Sequence, residues 1–218
     1  MTTRIELLQD VDAWLARDDL STDVDAPTML RMAQAMIDRE LRLFSQETTT
    51  TLACSSRSTS LPADFLSMIS VSVQSSNDRQ IDYLTPERLR DSLIWQNQGG
   101  GSLRIDDSDI AYTLEGQSIV IAPEPSVSDP VTLDIVYFAR FATLTADSDT
   151  NWLLTNNYDI YLYALLMQAA IFIDDAELLA RYGGLYENAR QSLVDAERRA
   201  RIPSAGGLFS TGSPRAVV

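Results

Sequence analysis

Apolar residues crowd most densely at residues 158–173, YDIYLYALLMQAAIFI, where Asp159 and Gln168 are the only polar side chains apart from the tyrosine hydroxyls. A helix here is apolar around most of its circumference and must be covered on several sides, which predicts the centre of a helical bundle. A membrane span is set aside because a bilayer needs about 18 to 20 apolar residues, and because Asp159, Asp174 and Asp175 bracket the run. Downstream, Asp174 or Asp175 caps a second helix whose stripe of Leu178, Leu179, Tyr182, Leu185, Tyr186, Ala189, Leu193 and Ala196 is wide enough to pack on the first. Gly183-Gly184 in its middle costs about 1 kcal/mol per glycine relative to alanine, so a bend or a tight crossing is expected, and the crossing is favoured. Arg198, Arg199 and Arg201 fall in the last turn, where they complement the helix dipole, and Pro203 ends the helix.

Helical spacing also opens the chain. Thr3 and Glu6 have capping-box spacing, and Ile5, Leu8, Val11 or Asp12, and Leu15 recur every three to four residues, predicting a helix over residues 3–16 with Trp14 as an anchor. A second helix follows Asp25-Ala26-Pro27, with Met29, Met32 or Ala33, Met36, Leu41 and Phe44 on one face. Its charged residues Asp38, Arg39, Glu40 and Arg42 read as a solvated face or an intersubunit rim.

Between these helical ends the pattern shortens to alternating, β-branched runs separated by serine and threonine. Strands are predicted at residues 49–54, 68–74, 80–83, 110–115, 118–122 and 131–138, with a hairpin around Gly116. Thr85-Pro86-Glu87 supplies a cap and a proline at the first helical position, predicting a short helix over residues 86–94. The glycine run in residues 97–102 has neither a lysine nor a following helix N-terminus, so it reads as a loop tip and not a phosphate cradle. The fold class is therefore α+β: a helical bundle from residues 1–47 and 143–202, an inserted antiparallel β-rich domain at 48–142 with one short helix, and a flexible tail at 203–218.

Charge narrows the functional classes. The formal net charge is -14, from 31 acidic against 17 basic residues, and every basic residue is arginine. Such a surface repels phosphates and anionic membranes instead of gripping them. Histidine is absent, which removes the usual general base, metal ligand and proton shuttle. The single cysteine, Cys54, reads as a half-buried strand residue, since one thiol makes neither an internal disulfide nor a zinc cluster. The opening residues show no long apolar run after a basic start, so no signal peptide is expected.

Chemistry, if present, would rest on carboxylates. Asp106 with Asp109, or Asp147 with Asp149, could serve a hydrolase or hold a hard cation, but Asp106-Asp107-Ser108-Asp109 lacks the glycine and distal glutamate of a calcium loop. No catalytic, metal or cofactor site is assigned. For Trp14, Trp95 and Trp152 the default reading is core, with contact between copies as the alternative.

Several segments taken in order resemble a known family. They are Trp14 to Leu20, Asp38-Arg39-Glu40-Leu41-Arg42, Leu61-Pro62-Ala63-Asp64-Phe65-Leu66, Tyr112-Thr113-Leu114-Glu115-Gly116, Ile135-Val136-Tyr137-Phe138-Ala139-Arg140, and Thr150-Asn151-Trp152-Leu153-Leu154 followed by Tyr158 to Ala164. Together, over residues 5–201, they resemble the phage head-to-tail adaptor (connector) proteins, a family that includes the tail tubular protein A of short-tailed phages. The resemblance implies a structural virion protein assembled in the host cytoplasm, not an enzyme. It implies a ring of roughly twelve copies beneath the portal protein, joined below to a tail or nozzle protein, with a channel that DNA crosses without specific binding. Under that reading Trp14, Trp152, Arg198 and Arg199 are assigned to contacts between copies, and Leu208, Phe209 and Arg215 of the tail to a partner, the portal. The channel carboxylates are sought in the acidic loops before the long helices or at Asp106, Asp107 and Asp109. The competing readings are a virion interaction module or tail-assembly factor that forms no ring and, further off, a carboxylate-based hydrolase.

Overall fold

The computed structural model describes residues 2–16, 26–74, 79–90, 110–125, 127–128 and 130–201. The architecture is α+β, and the chain divides into two compact units: Met1–Ala33 with Thr145–Val218, and Gln34–Leu144.

The first unit is helical. Helix α1 (Arg4–Leu15) opens with the predicted capping box: the Glu6 amide donates to Thr3 Oγ1 (3.5 Å) and the Thr3 amide to Glu6 Oε2 (2.9 Å). It closes on Ala16, whose amide still donates to the carbonyls of Ala13 and Asp12 and whose left-handed φ of 52° turns the chain out of the helix. Helix α2 (Ala26–Glu40) crosses the division between the units. It stops four residues short of Phe44, which the helical spacing had placed on its apolar face. The Arg42 guanidinium donates to the carbonyls of Asp38 (2.6 Å) and Leu41 (2.5 Å), satisfying the helix end. Beyond Glu40 burial alternates, with Leu41 and Leu43 buried and Arg42 and Phe44 exposed, so the period has changed from 3.6 to 2. Phe44 then begins a short 3₁₀ turn, Phe44–Gln46.

The C-terminal apolar run resolves into more pieces than its pattern predicts. A short helix, α4 (Trp152–Asn156), precedes α5 (Tyr158–Phe172), while α3 is the helical stretch at residues 86–90 of the second unit. Asn151 separates α4 from the loop before it: its Oδ1 accepts from the Leu154 amide (2.9 Å) and its Nδ2 donates to the buried Tyr161 hydroxyl (2.8 Å). Along α5 the buried residues Ile160, Tyr161, Leu162, Ala164, Leu165, Leu166, Ala169 and Ala170 face all directions, and only Asp159, Ile171 and Phe172 are exposed. Helix α6 (Ala176–Arg201) starts from Asp175, whose Oδ1 accepts from the Glu177 and Leu178 amides, both at 3.0 Å. Its stripe buries Tyr182, Tyr186 and Leu193, then fades, leaving Ala196 exposed. Among the described residues the glycine pair does not mark a tight crossing. A Cβ on Gly183 would meet only Met167 Cε at 3.8 Å, an ordinary contact, and one on Gly184 would meet nothing within 4 Å.

The second unit is a pair of four-stranded sheets. One has the order β1-β8-β3-β4 and the other β2-β7-β6-β5, built from β1 (Glu47–Cys54), β2 (Ser58–Ser60), β3 (Phe65–Val73), β4 (Arg79–Gln80), β5 (Asp82–Tyr83), β6 (Ala111–Glu115), β7 (Ser118–Ala122) and β8 (Val131–Ala139). Val71, Val73, Leu133, Ile135 and Tyr137 of the first sheet share one core with Tyr112, Ile119 and Ile121 of the second. The other side of β7, at Val120 and Ala122, packs with Leu89 of the predicted short helix, seen as α3 at residues 86–90; its predicted continuation to 94 lies outside the described residues.

Three corrections have local causes. The insert is not wholly antiparallel, because β5 pairs with β6 in parallel. The predicted strand at 80–83 is two strands in two sheets, hinged at buried Ile81, so the chain turns a corner where the alternation looks continuous. Strand β3 begins at Phe65, three residues earlier than its alternation indicates, because register shifts between Phe65 and Ser67 and between Met68 and Ser70 interrupt the period of two. The hairpin at Gly116 forms as predicted, with φ of 62° at the first of the two loop residues between Glu115 and Ser118.

Candidate functional site

The paired acids at 147 and 149 hold the start of α1. Asp149 Oδ2 accepts from the Thr145 amide (2.8 Å), the Thr145 hydroxyl (3.0 Å) and the Ala146 amide (2.6 Å). Those backbone hydrogen bonds from Ala146 and Thr145 hold its carboxyl below the usual carboxylate range. The carbonyls of Asp149 and Asp147 accept from the Arg4 and Ile5 amides at 2.9 and 3.1 Å, filling donors that a helix start leaves open. Asp147 Oδ1 also meets Arg4 Nη1 at 2.5 Å. Each carboxylate is thus engaged in closing a loop onto a helix, a sufficient reason for the spacing that raised the hydrolase reading. A second fastening joins α1 to α5, where the Tyr158 hydroxyl donates to Asp10 Oδ2. Burial, then the Asp10 carboxylate, pushes the Tyr158 phenol well above its ordinary value.

Cys54 is fully buried at the end of β1, deeper than the half-buried position expected, and burial pushes its thiol up, away from the thiolate a nucleophile needs. Among the described residues no group of three or more acids or thiols stands where it could hold a metal ion, and no helix is long and apolar enough to cross a membrane. Asp106, Asp107, Asp109, Trp95, the loop at 97–102 and the tail residues Leu208, Phe209 and Arg215 lie outside the described residues.

What this chain does offer is surface. The core reading fails for both described tryptophans: Trp14 is 49% exposed and Trp152 39%. Trp14 stands at the end of α1, edge-on to Tyr163 with ring centroids 6.2 Å apart, and tilted against Tyr182 at 6.4 Å. Its indole is thus packed on two tyrosines yet about half exposed among the described residues. Arg198 and Arg199 are exposed on the last turns of α6, with Arg199 Nε donating to the Asp195 carbonyl (3.1 Å). Ile171 and Phe172, at 55% and 52%, are further exposed apolar groups, at the end of α5. Sequence reasoning placed them inside the all-round apolar helix; the signal against that was their position directly before Asp174 and Asp175, where the helix ends.

A chain whose paired acids at 147 and 149 serve its own loop, and whose large apolar groups stand partly outside its core, has the features of a protein that joins others. The model of the SU10 adaptor protein family matches residues 2–208, and the chain belongs to that family of phage adaptor proteins. Membership implies a structural virion component. No match was found among curated proteins.

Proposed function

We propose that the chain is a head-to-tail adaptor, similar in role to the tail tubular protein A of short-tailed phages. Roughly twelve copies close into a ring between the portal protein and the next tail component by repeating one heterologous contact. The observation that carries the reading is the family match, which spans residues 2–208 of the chain. The net charge of -14 on a chain without lysine supports a conduit. Carboxylates on a channel wall repel DNA phosphates over about 8 Å at physiological salt, so the genome slides without being held. Glu6, Asp10, Asp147 and Asp159 are exposed, so their charges face solvent even where they also hold a helix start or a loop, and they suit such a wall. In the same reading, residues 1–47 and 143–202 act as a bundle that carries the insert 48–142. Trp14, Trp152, Arg198 and Arg199 lie in contacts between copies, and the tail with Leu208, Phe209 and Arg215 serves a partner, not the fold of one chain.

Native mass spectrometry and negative-stain imaging of the purified chain, alone and with a portal protein, test this. The expected result is a ring with an open centre, on its own or on the portal. A chain that stays monomeric and ignores the portal overturns the ring and leaves a ring-free interaction module.

A further inference from the structure

Among the described residues the two sheets have four edges, and three are two or three residues long: β2, β4 and β5. Short edges are one way proteins prevent unwanted strand pairing. The fourth, β1, is eight residues long and reads ETTTTLAC. It has no proline, lysine or arginine, its one charge is at its first position, and four successive threonines give it high strand propensity. Its only strand partner among the described residues is β8, and among them residues 48–54 make no backbone hydrogen bond on the other side. Register with Tyr137, Ile135 and Leu133 puts Thr48, Thr50 and Leu52 on the core side of the sheet, yet Thr48 is exposed and Thr50 and Leu52 are only half-buried. The core thus thins at this edge, where one more strand carrying an apolar side chain would complete it.

We propose that β1 is a docking edge for the C-terminal segment of a second copy of this chain, with residues 208–213 adding a fifth strand to the sheet. The chain supplies a matching piece. Residues 202–218 follow the last described helical residue, and at about 3.3 Å per extended residue they reach on the order of 50 Å, ample to span an edge. Within them Leu208-Phe209-Ser210-Thr211-Gly212-Ser213 places adjacent large apolar side chains on opposite faces of a strand, so either register brings one over Leu52, and Pro214 stops the pairing. Exchange of tails lets every copy both give and receive, so all edges fill when a ring closes, whereas β1 pairing with another β1 would end at two copies. The choice of a second copy rests on the ring proposed above; the pairing of tail and edge does not.

The test uses two full-length variants. Thr49→Lys/Thr51→Lys blocks the edge, and Phe209→Pro disables the tail; unchanged far-UV circular dichroism confirms each fold. The expected result is that each variant alone loses this contact, while a mixture forms one-to-one pairs by native mass spectrometry, because one supplies the tail and the other the edge. A fluorescent peptide of residues 203–218 should bind the tail-disabled variant, about tenfold more weakly once the edge is blocked. N-methylation of alternate amides in residues 208–213 should abolish binding in one of its two phases and spare it in the other. Equal binding to open and blocked edges, or a peptide held by the portal and not by this chain, overturns the proposal. Peptide binding without pairing of the variants overturns the second copy and assigns the tail to its own edge. A wild-type chain that forms no ring while the mixture still pairs removes the ring reading alone.

Discussion

Thr113 lies in the middle of β6, opposite Val120, at 0% exposure, and its hydroxyl has no hydrogen-bond partner among the described residues. Burying a hydroxyl without a partner costs about 1 to 3 kcal/mol. Thr113→Val replaces that oxygen with a methyl of similar size, removes the desolvation cost and adds a little apolar burial. The expected gain is about 1.5 kcal/mol, or roughly a tenfold lower population of the opened sheet. Because the chain has two units, a single global melting curve would mix their transitions. Amide hydrogen exchange at β6 and β7 reads the right event: protection at Tyr112, Leu114, Ile119 and Ile121 should rise about tenfold while protection in α5 and α6 stays level. Lower protection at those four amides would mean that the hydroxyl is bonded, through a trapped water, and that the threonine contributes to stability.

Other perturbations test other links. Ala16→Gly relieves a left-handed alanine at the end of α1 and should stabilise the helical unit by about 1 kcal/mol, seen as a rise in its melting temperature. Gly184→Ala meets nothing within 4 Å, so in a single copy it should stabilise α6 by about 1 kcal/mol; if assembly falls while the fold strengthens, the glycine accommodates a neighbouring copy. Asp149 has a depressed carboxyl pKa, so its contribution is complete above the unfolded value near 4 and is lost as pH falls through its lower folded value. Urea titrations from pH 6 down to pH 2 should therefore show a steeper loss in the wild type than in Asp149→Ala. Leu165→Asp puts a charge at a site 2% exposed and should leave no soluble folded chain, judged by circular dichroism of whatever is recovered.

How far the sequence was readable depended on how local each cause is. The capping box of α1, the Asp175 cap, the Gly116 hairpin and strand β7 rest on residues a few positions apart, and they form where spacing predicts. The end of α2 was not readable, because Leu41 and Phe44 fit a helical face as well as they fit the alternation that actually follows. The side chain that decides is Arg42, folding back onto the helix carbonyls. The division of residues 80–83 between two sheets is likewise invisible locally, since alternation is the same whether neighbouring strands belong to one sheet or two. The cap at Asn151 was not read from the sequence, and its second bond, to Tyr161, joins residues whose burial only the packed helices establish.

The same distinction governs the functional surface. Composition could narrow: without histidine, and with one thiol, the chain lacks the commonest general base and the ligands of a thiolate metal cluster, and its acidic excess disfavours a phosphate-gripping surface. It could not locate. Trp14 and Ile171 have the same sequence character as core residues, and only their place at helix ends leaves them uncovered. Strand β1 is a sharper case, because its threonines look like any half-buried strand until β8 is found on one side and, among the described residues, no strand on the other. A catalytic site gathers distinctive residue types that can be recognised before folding. A joining surface uses ordinary residues and becomes distinctive through what the fold leaves unpaired, so for an adaptor the edge strand and the uncovered helix ends carry the information that a motif carries in an enzyme.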